Sequence, residues 1–141
     1  MQVTVNWKGK VQFAAENTRG HTYVMDGPED HGGENLGPRP MEMILMGLGG
    51  CSQFDVITIL QKSRQKVQDC AIEISAERAD EIPAVFTKIH MNVIVKGESL
   101  KEAHVKRAVE LSIDKYCSVV KMLRQGGVEI THSYSIEQVD P

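Results

Sequence analysis

An excess of positive charge is missing from this chain: 16 lysines and arginines stand against 19 aspartates and glutamates, a formal net charge of -3. Such a chain cannot displace counterions along a phosphate backbone, so nucleic acid is not an expected partner. No uninterrupted stretch reaches the ~18 apolar residues of a membrane-spanning helix. The first ten residues, MQVTVNWKGK, alternate like a strand instead of carrying a basic and then an apolar segment. A cytoplasmic location without a membrane partner is the expectation. Cysteine is scarce as well. Cys51, Cys70 and Cys117 form an odd set with no Cys-x-x-Cys pair, which fits neither a disulfide-stapled secreted domain nor a zinc ribbon and points to a reducing compartment.

Metal and phosphate signatures are also lacking. The five histidines, at positions 21, 31, 90, 104 and 132, show no HxxxH or HxxEH spacing, and no acidic pair forms a metal clamp. GxSxG, Walker and dinucleotide glycine motifs do not occur. The one glycine-rich run, Gly47 to Gly50, lies inside a helical pattern and not at the strand-to-helix turn where a phosphate cradle forms. No metal and no cofactor are expected.

What is present is a globular composition, with 41% hydrophobic and 25% charged residues in 141, enough for one domain spanning residues 1–141. Val3, Val5 and Trp7 alternate with polar neighbours, as do Val11, Phe13 and Ala15, and a third short strand is expected over His21 to Met25. Asp26 to Arg39, rich in Gly, Pro and acidic residues, cannot bury a face and reads as a loop. Its length is at the upper end of ordinary connections, where functional loops concentrate. Pro40 then suits a first helical turn, and the pattern predicts a helix to about residue 65. Two alternating runs follow, Cys70 to Ala76 and Val85 to Val95, joined by the turn ADEIP. Ser99 and Glu102 match a capping box, and Val105, Val109, Ile113, Tyr116, Val120 and Leu123 recur at helical spacing up to the stop at Gly126 and Gly127. Val128 to Ile136 forms a last strand. The order β-β-β-α-β-β-α-β predicts an α+β domain in which antiparallel sheet packs against two main helices.

The helix starting at Pro40 would span about 37 Å, more than the width of a small domain. Between Met43 and Cys51 it carries no polar side chain, so that half must be covered on every side. A second subunit would do this, and an obligate homodimer centred on the helix is the expectation.

Each cysteine has two readings. Cys51 follows Gly47, Gly49 and Gly50, each costing about 1 kcal/mol in a helix relative to alanine. The glycines either admit a closely packed neighbour or leave room for a substrate beside a thiol. Free buried cysteines commonly act as small hydrophobes. Cys51 lies about three turns into the helix, too deep for the helix dipole to ionise it. A reactive Cys51 would need a cation from elsewhere, and Arg19, Arg39 and Arg64 are the candidates, each otherwise a solvated charge. Glu42 either serves the helix dipole in the first turn or holds one of these arginines. Cys117, in KYCSVVKML, is either core beside Tyr116 and Val120 or a second reactive thiol. Cys70 alternates inward with Ile72 and Ile74 and reads as packing.

The segment PRPMEMILMGLGGCSQFDV, followed 66 residues after its cysteine by KYCSVVKML and then by a strand ending ITHSYSI, resembles the OsmC/Ohr family of hydroperoxide-handling proteins, in particular its YhfA-like branch. The resemblance implies an intertwined, swapped homodimer with two long central helices and active sites at the subunit interface. It implies Cys51 as the peroxidatic thiol, Cys117 as the resolving one, and a helix break shortly before Cys117. The peroxidase branch carries a glutamate ten residues before its first cysteine; here that position is Met41, and Glu42 follows it. One residue turns a side chain about 100° around a helix. The family's arginine comes from the early β-region, where Arg19 in NTRGH matches by position. A thiol-dependent peroxidase of organic hydroperoxides, restored by a dithiol reductant, is the implied activity. A non-catalytic dimeric protein holding an apolar small molecule at the interface is the rival.

Overall fold

The computed structural model describes residues 1–141 and divides into two compact units, Met1–Met46 and Gly47–Pro141. In the first, the predicted alternations form strands β1 (Val3–Trp7), β2 (Phe13–Asn17) and β3 (Thr22–Met25), an antiparallel sheet in the order β1-β2-β3. Val3 pairs with Asn17 and Trp7 with Phe13, and Phe13 in turn with Met25. The loop after β3 is organised by a buried carboxylate. Asp26, 2% exposed, accepts hydrogen bonds from Gln12 Nε2 and from the amides of Gly27, Glu34 and Leu36. Desolvation opposes its ionisation, but these donors outweigh it and hold the carboxyl below its usual range. Within the same loop a short 3-10 turn covers Glu29–His31. A Cβ on Gly33 would sit 2.0 Å from the carbonyl oxygen of Gly27, an approach only glycine permits.

Helix α1 (Pro40–Lys62) begins at the predicted proline and ends three residues before the expected limit, where Arg64 takes a left-handed backbone, φ 58°. It crosses from the first unit into the second. Its mean hydropathy of 1.6 over an 18-residue window makes it long and apolar enough to span a membrane. That character rests on length and composition alone: the uninterrupted apolar runs stay short, as expected from the sequence, and the helix carries Ser52, Gln53, Asp55 and Thr58 among its apolar residues. Only Leu48, Ser52, Val56 and Leu60 are buried, a single stripe at every fourth residue.

The second unit holds β4 (Lys66–Arg78), β5 (Phe86–Glu98) and β6 (Glu129–Val139) in the order β4-β5-β6. β4 and β5 pair antiparallel. β5 and β6 pair parallel, with Ile89 opposite Ile130 and Val95 opposite Ile136, which corrects the expectation of a wholly antiparallel sheet. A parallel pair needs a crossover, and the helical segment between them supplies it. β5 is central, and Ile89, Met91, Val93 and Val95 are all at most 1% exposed. The crossover helices bury Val105, Ala108, Val109, Ile113 and Val120.

The crossover is not one helix. α2 (Glu102–Leu111) widens into a π turn over Ser112–Tyr116, and α3 (Ser118–Gln125) follows. The break that the family resemblance implies before Cys117 is present. The capping box is not: α2 is capped at Lys101, without a side-chain cap bond, and Ser99 sits in a left-handed turn, φ 53°. Long-range amides replace the serine. Gln138 Oε1 accepts the Leu100 amide at 2.9 Å and Gln65 Oε1 accepts that of Lys101 at 2.9 Å, while Glu102 accepts the Tyr134 hydroxyl at 3.0 Å.

Candidate functional site

Cys51 and Cys117 are brought together in the second unit. Cys51 lies on α1 beside the buried stripe and is half-buried; Cys117 is 2% exposed, and both are free thiols. The π turn places Cys117. Its amide donates to Ser112 O at 2.8 Å, five residues back, and its backbone then leaves the helical path at ψ 109° to start α3. The wider turn rotates the chain so that this sulfur faces α1. There it meets two consecutive residues of that helix: it interacts with the Cys51 thiol and accepts a hydrogen bond from Ser52 Oγ at 3.2 Å.

The environment of Cys117 pulls in two directions. Burial pushes its thiol upward and the neighbouring Cys51 adds to this, whereas the Ser52 hydroxyl and the Val120 amide favour the thiolate. The upward pull is the larger. Val120, third in α3, faces the sulfur without closing a cap bond of ordinary geometry. Beyond the sulfur an open cleft of about 490 Å³ is lined by Cys117, Asp114, Lys115, Lys121 and Arg124 among others. Arg124 is held there by Asp114 Oδ1 at 3.0 Å and by Ile130 O at 2.9 Å, and His132 Nε2 lies 3.3 Å from Asp114 Oδ2.

The other sequence candidates fall as follows. Arg19 is exposed in the β2–β3 turn of the first unit, where Asn17 Oδ1 accepts its amide at 2.9 Å. Glu42 is exposed in the first turn of α1 and its Oε1 accepts the Arg39 amide at 2.8 Å, the reciprocal half of a capping box. The guanidinium of Arg39 is spent on the loop, donating to Asp26 O, Gly37 O and Asn35 Oδ1. Arg64 is exposed at the end of α1. Cys70, on β4, is pushed up to about 11 by burial and by Asp69, and its carbonyl accepts from Gln53 Nε2. That matches its reading as a packing residue. Of the three helix glycines, Gly49 faces Ile74, whose Cδ1 would lie 3.3 Å from an added Cβ, while a Cβ at Gly47 or Gly50 would meet nothing within 4 Å.

Ser52 and Ser112 were not singled out from the sequence. Ser112 Oγ donates to the Ser52 carbonyl at 2.7 Å, and both serines are 0% exposed. A faint signal existed in Ser52, a hydroxyl at a buried position of an apolar stripe.

A two-unit α+β chain in which a long helix cysteine meets a second thiol at a helix break defines a class of proteins. The profile of the OsmC-like protein family matches residues 32–133, and the chain belongs to that family. It is 48% identical to protein YhfA of Escherichia coli strain K12 over 136 residues, 96% of this chain and 98% of that protein. Among solved structures, the OsmC-like protein of Mycoplasma pneumoniae superposes with a TM-score of 0.83 at 12% identity, over 97% of this chain and 96% of the other. The organic hydroperoxide resistance protein OhrB of Bacillus subtilis does so with a TM-score of 0.63 at 17% identity, over 95% and 96%. Both likenesses concern the fold.

Proposed function

We propose that this protein is a thiol-dependent peroxidase that reduces organic hydroperoxides through Cys51 and Cys117. The observation that carries the reading is that two thiols 66 positions apart are neighbours at a helix break, Cys51 pushing the Cys117 thiol upward while the adjacent Ser52 hydroxyl donates to its sulfur, in a fold shared with a hydroperoxide resistance protein. The Cys51 thiolate attacks the hydroxyl oxygen of the peroxide, the O–O bond breaks to give a sulfenic acid, and the departing alkoxide takes up a proton and leaves as the alcohol. The Cys117 thiolate then attacks the Cys51 sulfur, hydroxide departs and takes up a proton, and a disulfide forms. A dithiol reductant returns both thiols by exchange and leaves as its own disulfide. A reducing cytoplasm suits such a cycle.

Arg19 is proposed to stabilise the Cys51 thiolate and Glu42 to orient Arg19. The Glu42 Oε1 that accepts the Arg39 amide leaves Oε2 for a guanidinium. The protein is proposed to act as a swapped homodimer. Ile44, Met46 and Phe54 on α1 are 42%, 55% and 71% exposed in the single chain, an apolar surface that a partner's helix would cover better than water does. The same surface argues for a hydrophobic peroxide over hydrogen peroxide.

One observation favours the rival, a dimeric protein that binds an apolar molecule without turnover: Glu42 already has a role at the helix start. Treating the reduced protein with one equivalent of tert-butyl hydroperoxide and counting thiols separates the two. Loss of two thiols and two hydrogens per chain, abolished by Cys51→Ser, is the enzyme's signature. Three unchanged thiols would exclude it.

A further inference from the structure

We propose that Ser52 is a positioning residue for the Cys117 thiolate, holding that sulfur as it attacks the Cys51 sulfenic acid and again as it departs when the disulfide is reduced. The two steps rest on the peroxidase reading above. The underlying geometry does not.

Ser52 belongs to the buried stripe Leu48, Ser52, Val56 and Leu60. An alanine would serve the packing there, whereas a hydroxyl moved from water into such a place is costly unless it finds a partner. The default partner in a helix is the carbonyl one turn back. Ser52 Oγ instead donates across 65 positions to Cys117 Sγ, at 3.2 Å. Its own carbonyl is held by Ser112 Oγ at 2.7 Å, and Ser112 lies in the π turn that presents Cys117. α1 is therefore bonded twice to this break, once at the π turn and once at Cys117 just after it, both times through a serine that is 0% exposed. A neutral thiol is a weak acceptor and a thiolate a strong one, so an O–H aimed at sulfur gains most when the sulfur is ionised.

Both steps need that ion. In condensation, Cys117 S⁻ attacks Cys51–SOH, the S–S bond forms and the S–O bond breaks, releasing hydroxide that becomes water. In reduction, one thiolate of the dithiol attacks Cys51 Sγ, the more exposed of the two sulfurs. The S–S electron pair passes to Cys117 Sγ, where the Ser52 O–H is already directed. The second reductant thiolate then attacks the mixed disulfide and frees Cys51. Lower acidity of the leaving thiol slows such exchange.

The test resolves the steps in the full-length protein. Wild type and Ser52→Ala, both in a Cys70→Ser background, are treated with tert-butyl hydroperoxide, and sulfenic acid and disulfide are followed separately by trapping and mass spectrometry over pH. Conversion of sulfenic acid to disulfide is expected to slow about tenfold in Ser52→Ala and its pH midpoint to rise by about one unit, with sulfenic acid formation little changed. Ser112→Ala, which loosens the same contact but leaves the Ser52 hydroxyl, is expected to lower the melting temperature without moving that midpoint. Should Ser52→Ala not fold by circular dichroism, Ser52→Gly, which also lacks the hydroxyl and adds no thiol, carries the comparison and is expected to give the same shift. A separate arm measures the pH dependence of Cys117 modification by methyl methanethiosulfonate, which needs no peroxide. If wild type forms no sulfenic acid, the peroxidase reading fails, and this arm alone decides whether Ser52 favours the thiolate. An unchanged midpoint for Cys117 in the Ser52 variant, in this arm, overturns the proposal.

Discussion

Glu42 Oε1 accepts the backbone amide of Arg39 at 2.8 Å, so the glutamate that the peroxidase reading assigns to an arginine also closes the first turn of α1. The two duties can be separated by substitution. Glu42→Ala loses both the bond and the favourable charge at the helix start and is expected to cost about 0.5 to 1 kcal/mol in urea denaturation. Glu42→Gln keeps an acceptor for the Arg39 amide, so its stability should stay close to wild type. Its oxidation by tert-butyl hydroperoxide should still fall about tenfold if the carboxylate charge orients Arg19. Equal oxidation rates in Glu42→Gln and wild type would leave the residue with its cap alone.

Arg19 is exposed, and only its backbone is bonded, in the β2–β3 turn. Its replacement should therefore be nearly silent in the fold. Arg19→Ala is expected to melt within experimental error of wild type and to slow Cys51 oxidation by roughly 100- to 1,000-fold, the usual range for a lost electrostatic contribution at a reacting atom. A stopped-flow measurement with unchanged rates would remove Arg19 from the site.

The Asp26 carboxyl is held below its ordinary value of 3.8 by the donors around it. A group with a depressed folded value adds stability above its unfolded value, and loses that contribution as the pH falls through the folded one. The loop from Asp26 to Arg39 should accordingly loosen below about pH 4. Asp26→Asn should melt lower at pH 7, by about 3 °C or more, and be nicked faster in this loop by protease. Between pH 4 and pH 2 its stability should change less than that of wild type. Identical acid limbs would show that Asp26 is not responsible.

Phe54 stands 71% exposed on α1. In an isolated chain, exchange of such a residue for a charge alters stability by only about 0.5 kcal/mol. In the proposed dimer it would bury a carboxylate without a partner. Sedimentation velocity at micromolar concentration should show a dimer for wild type and dissociation or unfolding for Phe54→Glu. A stable folded monomer of the wild-type protein would refute the dimer.

Several elements were legible in the residue pattern for simple reasons. Side chains alternate across a strand and recur every three or four positions along a helix, so β1, β4 and β5 and the stripe of the crossover could be located without coordinates. Pro40 marked the helix start because a proline there loses no hydrogen bond. Alternation does not encode the direction of a pairing partner, and so the parallel register of β6 against β5 was missed. The Ser99 and Glu102 spacing suited a cap, but Gln138 of β6 and Gln65 of the turn between α1 and β4 accept the free amides instead. The break before Cys117 was foreseen through family likeness alone, and its form as a π turn not at all, because Ser112 to Tyr116 continues a helical apolar stripe without interruption.

The cysteines show the same division. Composition and spacing by themselves determined that three thiols exist without a CxxC pair or a metal set, and that Cys51 lies too deep in α1 for the helix dipole to activate it. Only the tertiary structure decided which thiol meets which. A π turn inserts one extra residue, swings Cys117 toward α1, and sets its sulfur 3.2 Å from the Ser52 hydroxyl, next to Cys51. That contact depends on where a buried backbone turns, and the Ser112 hydroxyl that holds the turn to the Ser52 carbonyl acts across 60 positions, a pairing that apolar spacing does not encode.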